Sequence, residues 1–398
     1  MLGHKRIPSR EGGVEVVVEE LSIRIAGLGH SVTCYNRSGH HVCGKEYNMT
    51  RTSKKPKYYK GIRLKSVPTI NRRGLAAMTS SVTASICAAL GPYDVVHFHA
   101  EGPSFMCWLP KLFGKKVIVT VHGLDHQRAK WGKLARIYIM MGERNAVRFA
   151  DEMIVLSEGT RKYFLDTYGR NTQFIPNGMS RDEILQAQLI KESFGLDKDG
   201  YILFLGRIVP EKGLHYLIEA FQKVKTKKKL VIAGGSSDTD RFMEELKKAA
   251  QNDTRILFIG FMEGRKLKEL YSNAYLYILP SDLEGMSLSL LEAMSYGNCC
   301  LVSDIPECAE VVEDKAVTFQ KSNTEDLREK LQELCDKPSM VQKYKSIASD
   351  FICSKYSWDD MVDKTLELYW NMLGEKNTQS ASEKASKVQR DKLLNENK

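Results

Sequence analysis

Short apolar strands alternate with amphipathic helical runs along most of the chain, and the alternation starts afresh after about Asp199. The run from Lys116 to Val121 is the purest strand of the first series, and Tyr201 to Leu205 opens the second. Consecutive parallel strands need a crossover connection, usually a helix, so this rhythm predicts parallel sheets covered by helices. Two series of similar size predict an α/β fold with two Rossmann-like domains that face each other across a cleft.

The domain boundary is placed about twenty residues before the second strand series begins. Residues 1–180 form the predicted first domain and residues 181–352 the second, while the polar residues 374–398 are predicted to be a disordered tail. Residues 1–10 are short and polar, although a doubly wound domain normally has a strand before its first helix. Because that strand is nearly absent, we expect the true start of the chain to lie upstream of Met1.

Composition is that of a globular protein with enough residues for two cores. The chain has 398 residues, of which 42% are hydrophobic and 27% charged. No run reaches the roughly 18 apolar residues of a membrane span, and no signal peptide opens the chain. The nine cysteines include no CxxC pair, so we interpret them as reduced thiols and expect a cytoplasmic protein.

Net charge is distributed unevenly between the two halves. Up to Ser180 the chain has 27 Lys and Arg against 13 Asp and Glu, a charge of +14, whereas the remainder carries −4. A basic half can face anionic lipid, nucleic acid or an acidic substrate, and it can equally be a solvated surface without a partner. No nucleic-acid-binding module is visible, so we do not expect nucleic acid as the partner.

The stretch from Leu279 to Gly297 is the first candidate for chemistry. A strand ends at Leu279, a turn follows, and an amphipathic helical run continues to Gly297. Glu284 precedes the helix and Glu292 lies about two turns inside it, so both carboxylates can face one cleft. The free N–H groups at residues 285–288 can hold an anion. Two carboxylates for hydroxyls beside an anion site suit a sugar nucleotide.

Two cations follow the first strand of the second domain. Arg207 and Lys212 lie in the turn after Leu205. Ligands of open α/β sheets bind at the carboxyl ends of strands, so these cations can neutralise a diphosphate in place of a divalent metal. Alone, the pair could equally be a solvated turn, but Glu284 at a neighbouring strand end favours a phosphate site.

Histidines mark the carboxyl ends of two strands in the first domain. His122 ends a strand and precedes Gly123, which favours an active-site position over a structural one. Asp125 can orient His122 or bind acceptor hydroxyls. His97 and His99 are weaker candidates, because an H-x-H pair can bind a metal but no third ligand is evident in the sequence, and we expect no metal site.

Glycines at the start of the first helix are a weak signal alone. Gly12-Gly13 forms a loop-to-helix junction, where a backbone without Cβ atoms can approach a phosphate or a sugar closely. The chain has no G-x-G-x-x-G, which argues against a nicotinamide enzyme, and no G-x-x-x-x-G-K-[ST].

In combination, these motifs resemble the retaining glycosyltransferases of family four, which have the GT-B fold. The resemblance rests on Gly12-Gly13, G-H-S-V, T-V-H-G-L-D, I-P-N-G, G-R-I-V-P-E-K-G and two glutamates with seven residues between them, in that order. It extends from about His4 to Tyr369. It implies that the second domain binds a nucleotide sugar, and that helices in residues 353–373, including Trp358, cross back to pack on the first domain.

The resemblance also implies roles for individual residues. Arg207 and Lys212 match the diphosphate-binding pair, Glu292 matches the ribose-binding glutamate, and Glu284 matches the glutamate that binds the donor sugar. The expected donor-binding residues are Gly13, Arg207, Lys212, Glu284, Gly285, Met286, Ser287, Leu288 and Glu292. The expected catalytic residues are His122, Glu284, Arg207 and Lys212. Asp125 and His99 are the expected acceptor-binding residues.

From this resemblance we expect an enzyme that transfers a sugar, with a UDP-sugar as donor, to a hydroxyl of a saccharide or lipid-linked acceptor. Retention of the anomeric configuration is expected, without cofactor or metal, in cell-surface polysaccharide synthesis. Peripheral contact with the inner face of the plasma membrane is attributed to Lys130, Trp131, Lys133 and Arg136. Two alternatives stay open: a nucleotide-sugar-binding protein inactivated by its reduced first strand, and a GT-B-fold epimerase that acts on a nucleotide sugar.

Overall fold

The computed structural model describes residues 1–40, 46–47, 57–70, 75–128, 131–235 and 240–374. Lys130 and the predicted tail beyond Gly374 lie outside these ranges. The strands are β1 Thr33–Arg37, β2 Gly39–His40, β3 Glu46–Tyr47, β4 Lys57–Tyr59, β5 Ile62–Val67, β6 Val95–His99, β7 Lys116–Val121, β8 Glu152–Val155, β9 Gln173–Phe174, β10 Tyr201–Leu205, β11 Lys229–Ala233, β12 Ile256–Gly260, β13 Leu276–Leu279, β14 Cys300–Ser303 and β15 Val317–Phe319. The helices are α1 Gly13–Gly27, α2 Leu75–Ala89, α3 Trp108–Leu112, α4 Lys133–Phe149, α5 Glu158–Tyr168, α6 Leu189–Phe194, α7 Leu214–Lys223, α8 Asp240–Ala250, α9 Gly264–Asn273, α10 Leu288–Ser295, α11 Pro306–Val312, α12 Thr324–Asp336, α13 Pro338–Lys355 and α14 Trp358–Leu373.

The first unit is built around parallel strands. β6, β7, β8 and β9 pair in that order, all parallel, while β1 pairs in parallel with β5, and β4 adds an antiparallel edge. β7 is the predicted β-branched run, and its residues after Lys116 are buried throughout. Continuous burial of an apolar strand is typical of a parallel sheet that helices cover on both faces.

The opening residues occupy the place of the strand that the sequence nearly lacks. Leu2 forms a parallel bridge with Phe98 of β6, and its N–H donates to the carbonyl oxygen of His97 at 3.0 Å. On the other side, the N–H of Tyr35 in β1 donates to the carbonyl oxygen of Met1 at 3.0 Å. The first two residues therefore lie between β1 and β6 and join them through backbone hydrogen bonds. Leu2 is fully buried there.

The second unit has one parallel sheet of six strands in the order β12-β11-β10-β13-β14-β15. Strand order reverses between β10 and β13, which are the first and fourth strands of this unit and lie side by side. In a doubly wound sheet the carboxyl ends of such neighbours border a crevice in which ligands bind. The turns that carry Arg207 and Glu284 follow these two strands, so the sheet topology brings the two predicted motifs to one edge.

α14 leaves the second unit and packs on α1 of the first. Ser357 caps its start, because the Ser357 hydroxyl accepts from two backbone N–H groups of the first turn. The hydroxyl of Tyr369, near the end of α14, lies 2.7 Å from Nδ1 of His97 on β6. The last described helix is thus tied to the sheet that carries the predicted histidines.

Candidate functional site

Lys212 and Glu284 form a buried ion pair at the crevice of the second unit. Lys212 follows β10 in a 3-10 turn, Pro210–Lys212, and Glu284 follows β13. The Lys212 ammonium donates to Oε1 of Glu284, and the two side chains are only 9% and 7% exposed. Burial alone would raise the pKa of Glu284, but the charge and hydrogen bond of Lys212 bring that pKa below its usual value. Glu284 is therefore an ionised acceptor at neutral pH.

Arg207 lies half-buried at the same edge, among charges from both units. Burial and the positive charge of Arg128 lower its pKa, while Asp125, Glu211 and Glu284 act in the opposite direction. A guanidinium remains charged at any physiological pH. The structure thus brings Arg207, Lys212 and Glu284 together, as the sequence predicted for a phosphate-binding edge.

Arg128 is a site residue that the sequence reasoning did not single out. Its Nε donates to Oδ1 of Asp125 at 2.7 Å, and its Nη1 lies 3.7 Å from Oε1 of Glu211 in the second unit. Burial acts to lower the pKa of Arg128, but the negative charge and hydrogen bond of Asp125 outweigh burial and raise that pKa. Arg128 therefore adds a third cation beside Arg207 and Lys212, from the opposite side of the cleft. Its position three residues after Asp125 was the available signal.

His122 lies at the carboxyl end of β7, as predicted, and belongs to a row of three histidines. Nε2 of His122 lies 3.1 Å from Nδ1 of His99, and the rings of His99 and His97 stack with centroids 4.2 Å apart. His97 is bonded in turn to Thr120 at 2.7 Å and to Tyr369 at 2.7 Å. Burial lowers the pKa of His122 to about 4, so its imidazole is neutral at pH 7. A neutral ring can accept or donate one hydrogen bond to a bound hydroxyl.

The predicted backbone segment of residues 285–288 meets the first unit directly. A Cβ at Gly285 would lie 1.9 Å from the carbonyl oxygen of His122, so only glycine fits there. A Cβ at Gly13 would lie 3.4 Å from Cδ1 of Leu288. The sulfur of Met286 lies 3.2 Å from the backbone nitrogen of Asn177. Three segments that are distant in sequence therefore converge on the start of α10.

Ser287 occupies the N-cap position of α10 without a side-chain cap. Its hydroxyl lies instead 3.2 Å from the hydroxyl of Ser289. The first N–H groups of a helix have no partner within it, and α10 begins four residues after Glu284, the partner of Lys212. An anion at this edge would gain both the cations and the helix start.

Glu292 lies inside α10 with a different set of partners from Glu284. Its Oε1 accepts from Nη1 of Arg10 at 2.8 Å, and its Oε2 accepts from the hydroxyl of Tyr271 at 3.0 Å. Burial raises the pKa of Glu292 in spite of the Arg10 charge. A cavity beside it is lined by Arg10, Asp182, Gly264, Leu267, Lys268, Tyr271, Glu292 and Tyr296. The structure places Glu292 at the cleft, in a pocket whose lining does not include Glu284. Arg10, like Arg128, is a residue that the sequence analysis did not single out.

Two family models match the chain. The model described as Glycosyltransferase Family 4 matches residues 11–183, and the model described as Glycosyl transferases group 1 matches residues 186–351. Alpha-maltose-1-phosphate synthase of Mycolicibacterium smegmatis is 29% identical over 307 residues, which are 69% of this chain and 78% of that protein.

Solved structures share the fold. Sucrose-phosphate synthase from Thermosynechococcus elongatus superposes with a TM-score of 0.75 at 20% identity, over 91% of this chain and 94% of that one. Anabaena HepE in complex with UDP and glucose superposes with a TM-score of 0.75 at 14% identity, over 92% and 97%. The predicted fold class, two parallel-sheet domains that face each other across a cleft, is confirmed. Among the residues that the structure describes, no helix is long and apolar enough to cross a membrane.

Proposed function

Because the chain belongs to the glycosyltransferases of family 4, we propose that it moves a sugar from a nucleotide diphosphate to an acceptor hydroxyl with retention of the anomeric configuration. Family membership makes the chain a sugar transferase with the GT-B fold. The donor, the acceptor and the stereochemistry are the proposed parts. The observation that carries the donor assignment is the position of Arg207, Lys212 and the start of α10 at one edge of the cleft.

The donor diphosphate binds at this edge in the proposed complex. Arg207 and Lys212 neutralise its negative charge, and the N–H groups at residues 285–288 add hydrogen bonds. Two cations and a helix start supply the stabilisation that a divalent metal gives in other transferases, so the reaction is proposed to be metal-independent. Glu292 binds the ribose diol in place of its present contact with Arg10, whose side chain is 45% exposed and free to turn away.

Sugar transfer follows same-face attack in this proposal. The bond between the anomeric carbon and the β-phosphate oxygen breaks, and its electron pair leaves with the nucleoside diphosphate. The acceptor hydroxyl forms the new bond on the same face, and its proton passes to the leaving phosphate oxygen. Glu284 is already paired with Lys212, so it is assigned to the hydroxyls of the transferred sugar rather than to a covalent intermediate. His122, with its neutral ring, is assigned to hydrogen bonding at the reacting centre.

The acceptor half of the site lies on the first unit in the proposed complex. His99 supports His122 from below, and Asp125 lies in the turn that follows β7. Asp125 holds Arg128 through one carboxylate oxygen, which leaves the other for an acceptor hydroxyl. A UDP-sugar is the proposed donor, and the complexes of HepE with UDP support this choice by analogy of fold.

Thermal-shift screening of UDP, GDP, ADP and dTDP, followed by their sugars, tests the donor assignment. Stabilisation by one nucleoside diphosphate and release of that product with an acceptor present are the expected results, and NMR of the product reports the anomeric configuration. Stabilisation without turnover would favour a binding protein, and isomerisation of the sugar without an acceptor would favour an epimerase. An inverted anomeric centre would refute same-face attack.

The exposed face of α4 is the proposed contact with an anionic membrane, which suits a lipid-linked acceptor in cell-surface polysaccharide synthesis. Leu134, Ile137 and Met141 are 84%, 55% and 44% exposed. Their spacing of three and four residues makes one apolar stripe. Lys133 and Arg136 are exposed beside it. Apolar side chains with adjacent cations are the features of a helix that lies in a lipid–water interface.

Sedimentation with liposomes tests this contact. Binding is expected to rise with the fraction of anionic lipid and to fall in Leu134→Asp. The control is Leu165→Asp, since Leu165 is a 49% exposed leucine on another helix, α5, and is not part of this stripe. Binding that is independent of anionic lipid, or equally weak in both variants, would overturn the membrane assignment without affecting the donor site.

A further inference from the structure

Three ligand-type side chains form a second buried cluster beneath the acceptor loop. Glu101 follows β6, His126 lies in the 3-10 turn Asp125–Gln127, and Glu143 lies in the middle of α4. One ligand atom from each residue lies within 4.8 Å of the other two. Both glutamates are completely buried, and the His126 side chain is 14% exposed.

The atoms of the cluster that face one another have no hydrogen-bond partner in the described structure. They are Oε1 of Glu101, Oε2 of Glu143 and Nδ1 of His126. Nδ1 of His126 lies 3.1 Å from the Glu143 oxygen and 4.0 Å from the Glu101 oxygen. Buried polar atoms are normally satisfied, so three unsatisfied ones within 4.8 Å of one another require an explanation.

The other carboxylate oxygens are held in place by the surrounding protein. Oε2 of Glu101 accepts from the N–H of Asp125 at 2.8 Å. Oε1 of Glu143 accepts from the hydroxyls of Tyr163, at 2.9 Å, and Tyr168. In metal sites, hydrogen bonds of this kind fix the orientation of the ligands and leave the facing atoms free to bind.

Two carboxylates buried side by side repel each other, and a cation between them relieves that repulsion. The facing oxygens of Glu101 and Glu143 form such a pair, and Nδ1 of His126 lies beside both.

We propose that Glu101, His126 and Glu143 bind one divalent first-row transition-metal ion. Two carboxylates and a neutral imidazole supply a charge of −2, which balances such an ion in a buried site. The imidazole ligand suits Zn²⁺ and other first-row transition metals, the two carboxylates suit Mn²⁺ as well, and Mg²⁺ and Ca²⁺ prefer oxygen ligands alone.

The consequence of binding is structural rather than catalytic. An ion at this point joins the segment after β6, the turn after β7 and helix α4. The turn carries Asp125, and Arg128 follows it immediately, so the ion positions the loop that supplies the acceptor side of the cleft. The cluster contains none of the residues of the diphosphate edge. Loss of metal binding would therefore leave the proposed donor site unaffected.

Titration of the chelator-treated full chain with Mn²⁺ tests the site, with the electron paramagnetic resonance signal of free Mn²⁺ as the readout. Mn²⁺ is the suitable probe because thiolates bind it poorly, so the free cysteines do not compete. Binding of one ion per chain is expected, with an increase in the thermal midpoint that Mg²⁺ does not produce.

His126→Gln and Glu143→Gln are each expected to weaken Mn²⁺ binding by at least about tenfold. His215→Gln is the control, since His215 lies on α7 in the second unit. Because Glu143→Gln removes a buried charge and can disturb folding, circular dichroism accompanies each titration, and the more exposed His126 provides the decisive variant. Absence of Mn²⁺ binding to the wild-type chain, or equal binding by a folded His126→Gln, would overturn the proposal.

Discussion

Replacing Lys212 by methionine tests the charge balance at the diphosphate edge. Methionine retains most of the side-chain volume but leaves the Glu284 carboxylate buried without its partner. Removal of one member of a buried ion pair costs more than the pair contributed, because the remaining charge has lost its solvation and gained nothing. A clear loss of stability is therefore expected from a single substitution, without any loss of core packing.

Protonation of Glu284 limits the cost of leaving this carboxylate without its partner. A carboxyl with a reference pKa of about 4.3 can be protonated at pH 7 for about 3.7 kcal/mol, since one pKa unit corresponds to about 1.4 kcal/mol. Arg128 remains nearby and makes the unpaired charge less costly. We therefore expect Lys212→Met to lower the free energy of unfolding by about 2–4 kcal/mol. For a domain of this size, that corresponds to roughly 10 °C in the thermal midpoint.

The pH dependence of the loss has a definite sign. In the wild-type chain the pKa of Glu284 is lowered, so the contribution of the ion pair is present above the unfolded pKa and disappears as pH falls through the folded one. In Lys212→Met, burial without the ammonium raises that pKa, so the folded state binds the proton more tightly than the unfolded chain. The destabilisation should therefore shrink by up to about 1.4 kcal/mol per unit as pH falls from about 7 to about 5.

Thermal and urea unfolding at both pH values measure these effects in Lys212→Met, Glu284→Gln and the double variant. The double variant should recover most of the loss, because glutamine brings no buried charge. Lys223→Met is the matched control, since Lys223 and Glu219 form an exposed pair at 3.0 Å that should contribute less than about 1 kcal/mol. A Lys212→Met loss as small as that of the control, or one that does not change with pH, would refute the reasoning.

Three further predictions concern turnover. Arg207→Ala should lower kcat/KM by about 10²–10³-fold in a folded protein, because it removes a cation from the leaving diphosphate. Arg181→Ala is the control and should leave kcat/KM unchanged, since Arg181 is exposed. Near-normal turnover in Arg207→Ala would contradict the phosphate assignment. The pKa of His122 is lowered to about 4, so log kcat/KM should show no change due to this residue between about pH 8 and about pH 5.5. A decrease in log kcat/KM near about pH 6.5 that disappears in His122→Gln would contradict a neutral ring. Gly285→Ala places a Cβ 1.9 Å from the His122 carbonyl oxygen and should abolish most turnover while circular dichroism is unchanged. The control Gly27→Ala, whose Cβ would have nothing within 4 Å, should keep its turnover. Equal activities of the two variants would rule out the close approach.

Strand-end positions were the part of the site that the sequence could predict. The β-branched run before His122 and the apolar run before Arg207 each had one interpretation, and parallel pairing sends their carboxyl ends to the cleft. Local pattern also found α10, because Gly297 ends the helical run that Glu292 lies in. These inferences depend only on periodicity and on the rule that sheet ligands bind at strand ends.

Partners across the cleft could not be predicted in the same way. Arg10, Arg128 and Glu211 acquire their roles from contacts between segments that are far apart in sequence, and each looks like a solvated residue in its own segment. The opening residues also show that long-range contacts cannot be predicted from a local pattern. Polar residues gave no strand signal there, yet Leu2 is buried because β1 and β6 need backbone partners on their open edges.

Close approach between the two units is what completes the site. Gly285 packs against the backbone at His122, which only glycine permits, and Gly13 lies beside Leu288. The Arg10–Glu292 and Arg128–Glu211 pairs and the contact of Met286 with Asn177 also join the two units. The Arg10 side chain is 45% exposed, so solvent screens its pair with Glu292, whereas Arg128 and Glu211 are only 11% and 4% exposed and attract each other more strongly. The absence of a Cβ at Gly285 therefore allows the acceptor and donor segments to touch, and a buried charge pair joins the same two sides of the cleft.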